Sequence, residues 1–93
     1  MVVASQTWEF TLPGCSSLKE KRSVIRSLRD RLRSKFNVSV AETGLQDVLD
    51  RAELSIAVIS SDGRLVESML DKIDHFVDSH AGAGIVRVTR EIY

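Results

Sequence analysis

Hydrophobic and polar residues alternate along the first segment of the chain, residues 2–12. This alternation predicts a strand with one buried face, because successive side chains of a strand point to opposite sides. Gln6 lies on the apolar side, and the pattern gives no reason for a polar residue there. Pro13-Gly14 predicts the end of the strand. The apolar side consists of Val2, Ala4, Trp8, Phe10 and Leu12.

The next segment has the spacing of an amphipathic helix. Ser17 and Glu20 match a capping box, which predicts that the helix begins near Ser17 and ends near Ser34. Apolar residues recur at intervals of three and four, so one face of the helix should be buried. These residues are Leu18, Val24, Ile25, Leu28 and Leu32.

Two further strands are predicted after this helix. Alternation in residues 36–41 indicates the second strand, which Thr43-Gly44 closes. The spacing of apolar residues in 45–50 favours a single helical turn. Residues 52–60 alternate again and predict the third strand. Its inward residues should be Leu54, Ile56 and Val58.

A second helix and a fourth strand complete the pattern. Ser61-Asp62-Gly63 predicts the cap of the helix. A loop over residues 81–84 should lead into the last strand, residues 85–92. The apolar stripe of the helix is Leu65, Val66, Met69, Leu70, Ile73, Phe76 and Val77. The inward residues of the last strand should be Val86, Val88 and Ile92.

The order βαββαβ favours an α+β fold, the ferredoxin-like sandwich, in which a four-stranded antiparallel sheet carries two helices on one face. The 93 residues suit a single domain, residues 1–93. A chain this short has a small core, so we expect it to gain stability by forming a homodimer.

Charge is distributed unevenly along the chain. The totals balance, with 13 basic and 13 acidic residues. Residues 15–36 hold eight Lys or Arg and two acidic residues, a net charge of +6, so the rest of the chain carries −6. A neutral protein of this kind does not coat nucleic acid with its whole surface, but it can present one basic face to a polyanion.

Most of these basic side chains fall on one side of the first helix when it is projected at about 100° per residue. We name the row of Lys19, Arg22, Arg26, Arg29 and Arg33 the basic ridge. Lys21 projects into the apolar arc, so we expect its stem to pass the core and its ammonium to reach toward the helix N-terminus. The predicted RNA- or anion-binding residues are Lys19, Lys21, Arg22, Arg26, Arg29 and Arg33.

The second helix carries a row of acidic residues opposite its apolar stripe. We name Glu67, Asp71, Asp74 and Asp78 the acidic ridge. In one interpretation the two ridges pair, within one subunit or between subunits. In another, the basic ridge faces a polyanion and the acidic ridge limits nonspecific binding. In a third, both ridges are solvated helix flanks that contribute little to stability.

Catalytic and metal-binding chemistry have little support in the sequence. His75 and His80 are five residues apart and do not share a helix face as metal ligands would. Cys15 precedes a helix N-terminus, but no histidine lies near it in sequence to act as its base. No Walker loop or dinucleotide-binding motif is present. We therefore expect no enzyme activity, no metal and no cofactor.

Three further observations bear on partners and location. Tyr93 is the only aromatic residue on the predicted outward sheet face, so base stacking of the RNA-recognition type is not expected there. No apolar run approaches the roughly 18 residues of a membrane span. The N-terminus lacks the pattern of a signal peptide, and a single cysteine fits a reducing compartment. We expect a cytoplasmic protein without a membrane partner.

Three ordered motifs resemble the YlxP-like family of small bacterial proteins of unassigned function. They are residues 12–14 (LPG), 17–22 (SLKEKR) and 36–42 (FNVSVAE). The resemblance covers nearly the whole chain and implies a ferredoxin-like fold. It also implies a role at the ribosome, because the genes of family members lie beside those of ribosome-maturation and translation-initiation factors. It brings no established catalytic residues. Family members usually have glycine at the position of Ala4 and an aliphatic residue at that of Gln6.

The sequence thus predicts a non-enzymatic accessory module that contacts structured RNA, ribosomal RNA or a ribosomal particle, through the first helix. The alternative is a homo-oligomeric interaction or small-ligand-binding domain. In that case the helix charges pair within or between subunits, and the small-residue sheet face or an edge strand forms the interface.

Overall fold

The structure, a computed structural model, describes residues 1–80 and 84–93. The elements are β1 (Val2–Thr11), α1 (Leu18–Lys35), β2 (Ser39–Gly44), β3 (Arg51–Ser60), α2 (Gly63–Asp78) and β4 (Gly84–Ile92). The sheet has the strand order β2-β3-β1-β4, and every neighbouring pair is antiparallel. The predicted ferredoxin-like order βαββαβ is confirmed. Most of the loop predicted at 81–84 lies outside the described residues.

Both helices begin at the residues that the sequence indicates. Ser17 caps α1 by accepting a hydrogen bond from the Glu20 amide at 3.1 Å. The Glu20 carboxylate reaches back to the amide and hydroxyl of Ser16, one residue earlier than in a standard capping box. These hydrogen bonds lower the pKa of Glu20. Asp62 caps α2 by accepting from the Arg64 amide at 2.8 Å.

The core lies between the inner face of the sheet and the two helices. The inward side of β1 is fully buried from Ala4 to Phe10, as its alternation predicts. Leu18 and Leu65 lie at the margin of the helix stripes and stay 37% and 59% exposed. The helix residues that complete the core are Ile25, Leu28, Leu32, Val66, Leu70, Ile73 and Val77.

The last strand departs from its predicted pattern. Glu9 pairs with Arg87 and Phe10 with Ile85, so Val86 is the extra residue of a β-bulge. Ile85 packs against the core, whereas Val86 is 49% exposed. The prediction that Val86 faces inward is therefore wrong, because a bulge shifts the alternation by one residue.

Val88 and Ile92 do lie on the inner face, opposite Trp8 and Ala4. They are nevertheless 41% and 43% exposed. β4 forms one edge of the sheet, so these side chains have a strand on one side only. The apolar pattern alone does not distinguish an edge strand from a covered one.

The connection between β2 and β3 is a turn, so the predicted helical turn over 45–50 is wrong. Leu45 has a φ of 59°, in the left-handed region, which interrupts a right-handed helix. The Val48 amide donates to the Leu45 carbonyl at 3.0 Å. Within residues 1–80 and 84–93, no helix is long and apolar enough to cross a membrane.

Candidate nucleic-acid interface

The basic ridge of α1 lies along the β2 edge of the sheet. Arg22, Arg26 and Arg29 line a shallow pocket with Ile25 from their own helix and Glu42 from β2. At the C-terminal end of the ridge, Arg33 donates a hydrogen bond from Nη2 to the Val40 carbonyl of β2 at 2.9 Å. The helix stripe fixes this orientation, because burying Ile25, Leu28 and Leu32 turns the neighbouring row of basic residues toward β2.

The ridge presents its charges to solvent. Lys19, Arg22 and Arg26 are exposed and form no ion pair within the part of the chain that the structure describes. Arg29 is half-buried, and its Nε lies 3.4 Å from Oδ1 of Asp30, the next residue of the helix, which is exposed. Such a contact is weak, so Asp30 offsets little of the positive charge.

Among the described residues that line the ridge pocket, Glu42 is the one acidic residue. Its side chain is 27% exposed, and its Oε2 lies 3.6 Å from the Lys21 Nζ. This oxygen is buried and accepts no hydrogen bond from the described residues. Glu42 therefore pairs with the buried Lys21, and it also adds one partly exposed negative charge to the pocket that Arg22, Arg26 and Arg29 line.

Lys21 is a buried residue, so it does not have the exposed ammonium that the prediction of an RNA- or anion-binding residue requires. Its side chain is 2% exposed. Its Nζ donates to the carbonyl oxygens of Leu45, Gln46 and Val48, the last at 2.7 Å. The turn after β2 wraps over the first turn of α1 and offers these oxygens to the ammonium. Lys21 thus holds the turn and is not available to an external anion.

Two other basic residues of α1 lie outside the basic ridge. Lys35 places its Nζ 4.9 Å from the ring centre of Phe76. Arg31 lies beside His80, and partial burial together with the Arg31 charge lowers the pKa of His80. Lys35 therefore contacts α2, whereas Arg31 lies near His80, after the end of α2. The basic ridge is therefore Lys19, Arg22, Arg26, Arg29 and Arg33, as its helical projection predicts.

The acidic ridge lies at the opposite edge of the sheet, beside β4. Arg90 of β4 contacts Asp71 at 3.0 Å and Asp74 at 3.5 Å. A cleft between α2 and β4 is lined by three ridge acids together with His75, Ile85 and Val88. In residues 1–80 and 84–93, no ion pair joins the two ridges. Pairing within one subunit is therefore not observed, and pairing between subunits stays a prediction.

Gln6 now has a structural reason, which the sequence alone did not supply. Its Nε2 donates to Asp74 Oδ1 at 2.7 Å, and its Oε1 accepts from the Arg90 Nε at 2.7 Å. The Trp8 indole donates to the same Asp74 oxygen at 2.8 Å. Gln6 and Arg90 are also direct cross-strand partners. Two polar residues on otherwise apolar strand faces were the signal that could have revealed this network.

The chemistry of the described residues adds no further site. Within them, no group of three or more histidine, cysteine or acidic residues could hold a metal ion. Cys15 is half-buried. The exposed arginines of α1 are the groups whose chemistry points to a ligand, because guanidinium groups bind phosphate oxygens in two-pronged contacts.

The fold and this surface define a small ferredoxin-like α+β domain with one basic helix flank. In a crystal structure, a Deinococcus radiodurans protein described provisionally as an antibiotic biosynthesis monooxygenase has a similar fold. The TM-score is 0.55 at 11% identity, over 100% of this chain and 90% of that one. At this identity the likeness shows the fold alone.

Sequence comparison is more specific. The family described as protein of unknown function (DUF503) matches residues 3–90. The uncharacterized protein YlxP of Bacillus subtilis (strain 168) is 43% identical over 63 residues, which is 68% of this chain and 68% of YlxP. The chain belongs to the DUF503 family. The resemblance to YlxP-like proteins that the three motifs indicate is thereby confirmed.

Proposed function

We propose that the protein is a non-enzymatic accessory module that binds structured RNA, in a ribosomal particle, through the basic ridge of α1. The observation that carries the proposal is the exposure of Lys19, Arg22 and Arg26, which form no ion pair among the described residues. These side chains are solvated in the free protein. Their contact with a polyanion is favoured because it releases the counterions condensed on the polyanion.

The geometry of the ridge suits a phosphate backbone. Ridge residues follow each other at intervals of three or four, so they advance by about 5 Å each along the helix. From Lys19 to Arg33 the row extends over about 21 Å, enough to follow several phosphates of one strand or to cross a groove. Four of the five residues are arginines, which favour two-pronged contacts with phosphate.

The opposite placement of the two ridges supports an oriented approach. The basic ridge lies at the β2 edge and the acidic ridge at the β4 edge, so the sheet separates these two rows of charge. A negatively charged particle attracts the first ridge and repels the second. RNA binding of this kind needs no cofactor, and it implies a cytoplasmic location.

Co-sedimentation with purified ribosomal subunits, including immature ones, at a low and a moderate salt concentration tests the proposal. The variant is Arg26→Glu with Arg29→Glu. The matched control is Arg64→Glu with Lys72→Glu, which makes the same charge change on exposed positions of α2. We expect the wild type and the control to sediment with the particles at low salt, and the ridge variant to stay in the supernatant.

Melting curves of all three proteins show whether each variant keeps the fold. Neither Arg26 nor Arg29 lies in the core, so we expect the ridge variant to melt within a few degrees of the wild type. A wild-type protein that sediments with no ribosomal particle at either salt concentration would remove the proposal. So would equal loss of binding in the ridge variant and the control.

A further inference from the structure

The edge strand β4 leaves a row of backbone groups and apolar side chains uncovered. Val86, Val88 and Ile92 are 41–49% exposed, and Leu65 of α2 is exposed at 59%. No proline interrupts the strand. An open strand edge with apolar side chains is a template for pairing with another chain, unless it is blunted or covered.

The hydrogen bonds of β1 fix which groups of β4 point outward. Tyr93 and Val3 exchange both of their backbone hydrogen bonds. In an antiparallel ladder, hydrogen-bonded and non-hydrogen-bonded pairs alternate. Counting back from Tyr93 along the regular register, the amide and carbonyl groups of Val88, Arg90 and Ile92 point away from β1, toward the open edge.

We propose that β4 pairs antiparallel with β4 of a second copy, about a two-fold axis at Thr89, to form one eight-stranded sheet. This register places Val88 opposite the partner's Arg90, and both residues have outward backbone groups that can bond. It also places Arg87 opposite the partner's Glu91, twice by symmetry. Both of these charged side chains are exposed on the outer face of the sheet.

Charge selects this register over its neighbours. An axis at Arg90 would place Arg90 directly opposite itself, and like charges at opposed positions destabilise a sheet. An axis at Val88 would set Arg87 against threonine and Glu91 against isoleucine. Of these three axes, only the one at Thr89 places Arg87 and Glu91 opposite residues of the other charge. It also brings the exposed side chains of Val86, Val88 and Ile92 next to the second strand.

The pairing closes after two copies, because it uses the same edge of each. The six-residue strand β2 and the basic ridge stay at the outer edges of the dimer. Strands lie about 4.8 Å apart, so roughly 34 Å separates the two β2 strands across the joined sheet. The dimer therefore leaves both proposed RNA-binding ridges free, and either proposal can fail without the other.

Sedimentation velocity of the full chain tests the interface. We expect the wild type to be a dimer at about 100 μM. Val88→Pro removes one outward amide, and a proline is tolerated where that amide faces away from the neighbouring strand. We expect this variant to be a monomer at the concentration where the wild type is a dimer. At a dilution where both proteins are monomeric, we expect the two to have the same melting temperature.

A charge exchange tests the register without a proline. Arg87→Glu and Glu91→Arg should each weaken the dimer at least tenfold, and the double variant should restore most of the affinity. The control Arg26→Glu with Arg29→Glu, at the opposite edge, should leave the dimer unchanged. That control also distinguishes β4 pairing from association of the basic ridge with the acidic ridge of a second copy.

Three results would overturn the proposal. The first is a monomeric wild type at the same concentration. The second is a dimer that Val88→Pro and both single charge variants leave intact. The third is dissociation by the basic-ridge control with no effect of the β4 variants, which would assign the contact to the two charged ridges.

Discussion

The ammonium of Lys21 is held inside the protein by backbone oxygens of the turn after β2. Its charge faces the half-buried carboxylate of Glu42 across 3.6 Å. A buried cation is tolerated where several acceptors replace its water shell. The hydrogen bonds from Lys21 attach the turn between β2 and β3, where Leu45 has a positive φ, to the first turn of α1. One side chain therefore fixes this turn to the helix that carries the basic ridge.

Lys21→Met should therefore lower the free energy of unfolding by about 2–4 kcal/mol, because it strips acceptors from buried carbonyls and leaves Glu42 uncompensated. The matched control Lys19→Met removes an exposed ammonium and should cost less than about 0.5 kcal/mol. Urea denaturation of both variants measures the difference. Equal losses of unfolding free energy for the two variants would mean that the hydrogen bonds of Lys21 contribute nothing to stability.

His80 gives a second prediction for single residues. Partial burial and the nearby Arg31 charge hold its pKa below the ordinary 6.5. The unfolded chain then binds the proton more tightly than the folded protein, so stability falls as the pH drops below about 6.5 toward the folded-state pKa. His80→Gln should flatten the dependence of the melting temperature on pH in that range. A dependence as steep as in the wild type would contradict this assignment.

Each helix shows how one amphipathic element serves two purposes. The stripe of α1 buries Ile25, Leu28 and Leu32, and this burial alone decides that the adjacent arginines line the β2 edge. In α2, burial of Val66, Leu70, Ile73 and Val77 likewise turns the acidic ridge toward β4. The position of each ridge relative to the buried stripe of its helix therefore decides which edge of the sheet it lies beside.

Leu28→Ala should cost roughly 2–5 kcal/mol, because Leu28 is fully buried and its removal leaves a cavity between α1 and the sheet. Leu18→Ala removes the same atoms from a position that is 37% exposed, so its cost should be clearly smaller. Chemical denaturation of the two variants compares them. A loss below about 1 kcal/mol for Leu28→Ala would mean that another face of α1 packs inward.

Periodicity was sufficient for the order of the six elements and for the buried faces of both helices, but it placed the second strand at 36–41, whereas β2 is Ser39–Gly44. It was not sufficient for features that depend on tertiary contact. The acceptors of Lys21 come from a turn 24 to 27 residues away in the sequence. Likewise, the partners of Gln6 lie on α2 and β4, 68 and 84 residues away. The bulge at Val86 and the exposure of the β4 edge depend on register and strand order, which local spacing does not encode.

At the scale of the whole molecule, the two charged ridges of a chain with no net charge lie at opposite edges of the sheet. The β2 edge carries the basic ridge, and the β4 edge carries acids that Arg90 partly neutralises. The DUF503 family is described as of unknown function, and the basic ridge is the feature on which the RNA-binding proposal rests.

The salt dependence of RNA binding tests this central claim most directly. The measurement is fluorescence anisotropy of a labelled ribosomal RNA hairpin titrated with the protein at several KCl concentrations. Each phosphate contact contributes about 0.7–0.9 to the slope of log K against log salt, so five ridge residues that engage in part predict a slope of roughly −2 to −4. Arg26→Gln with Arg29→Gln should reduce the magnitude of that slope by about 1.5, whereas Arg64→Gln with Lys72→Gln should leave it unchanged. A wild-type slope near zero, or the same slope in the wild type and the ridge variant, would contradict the account.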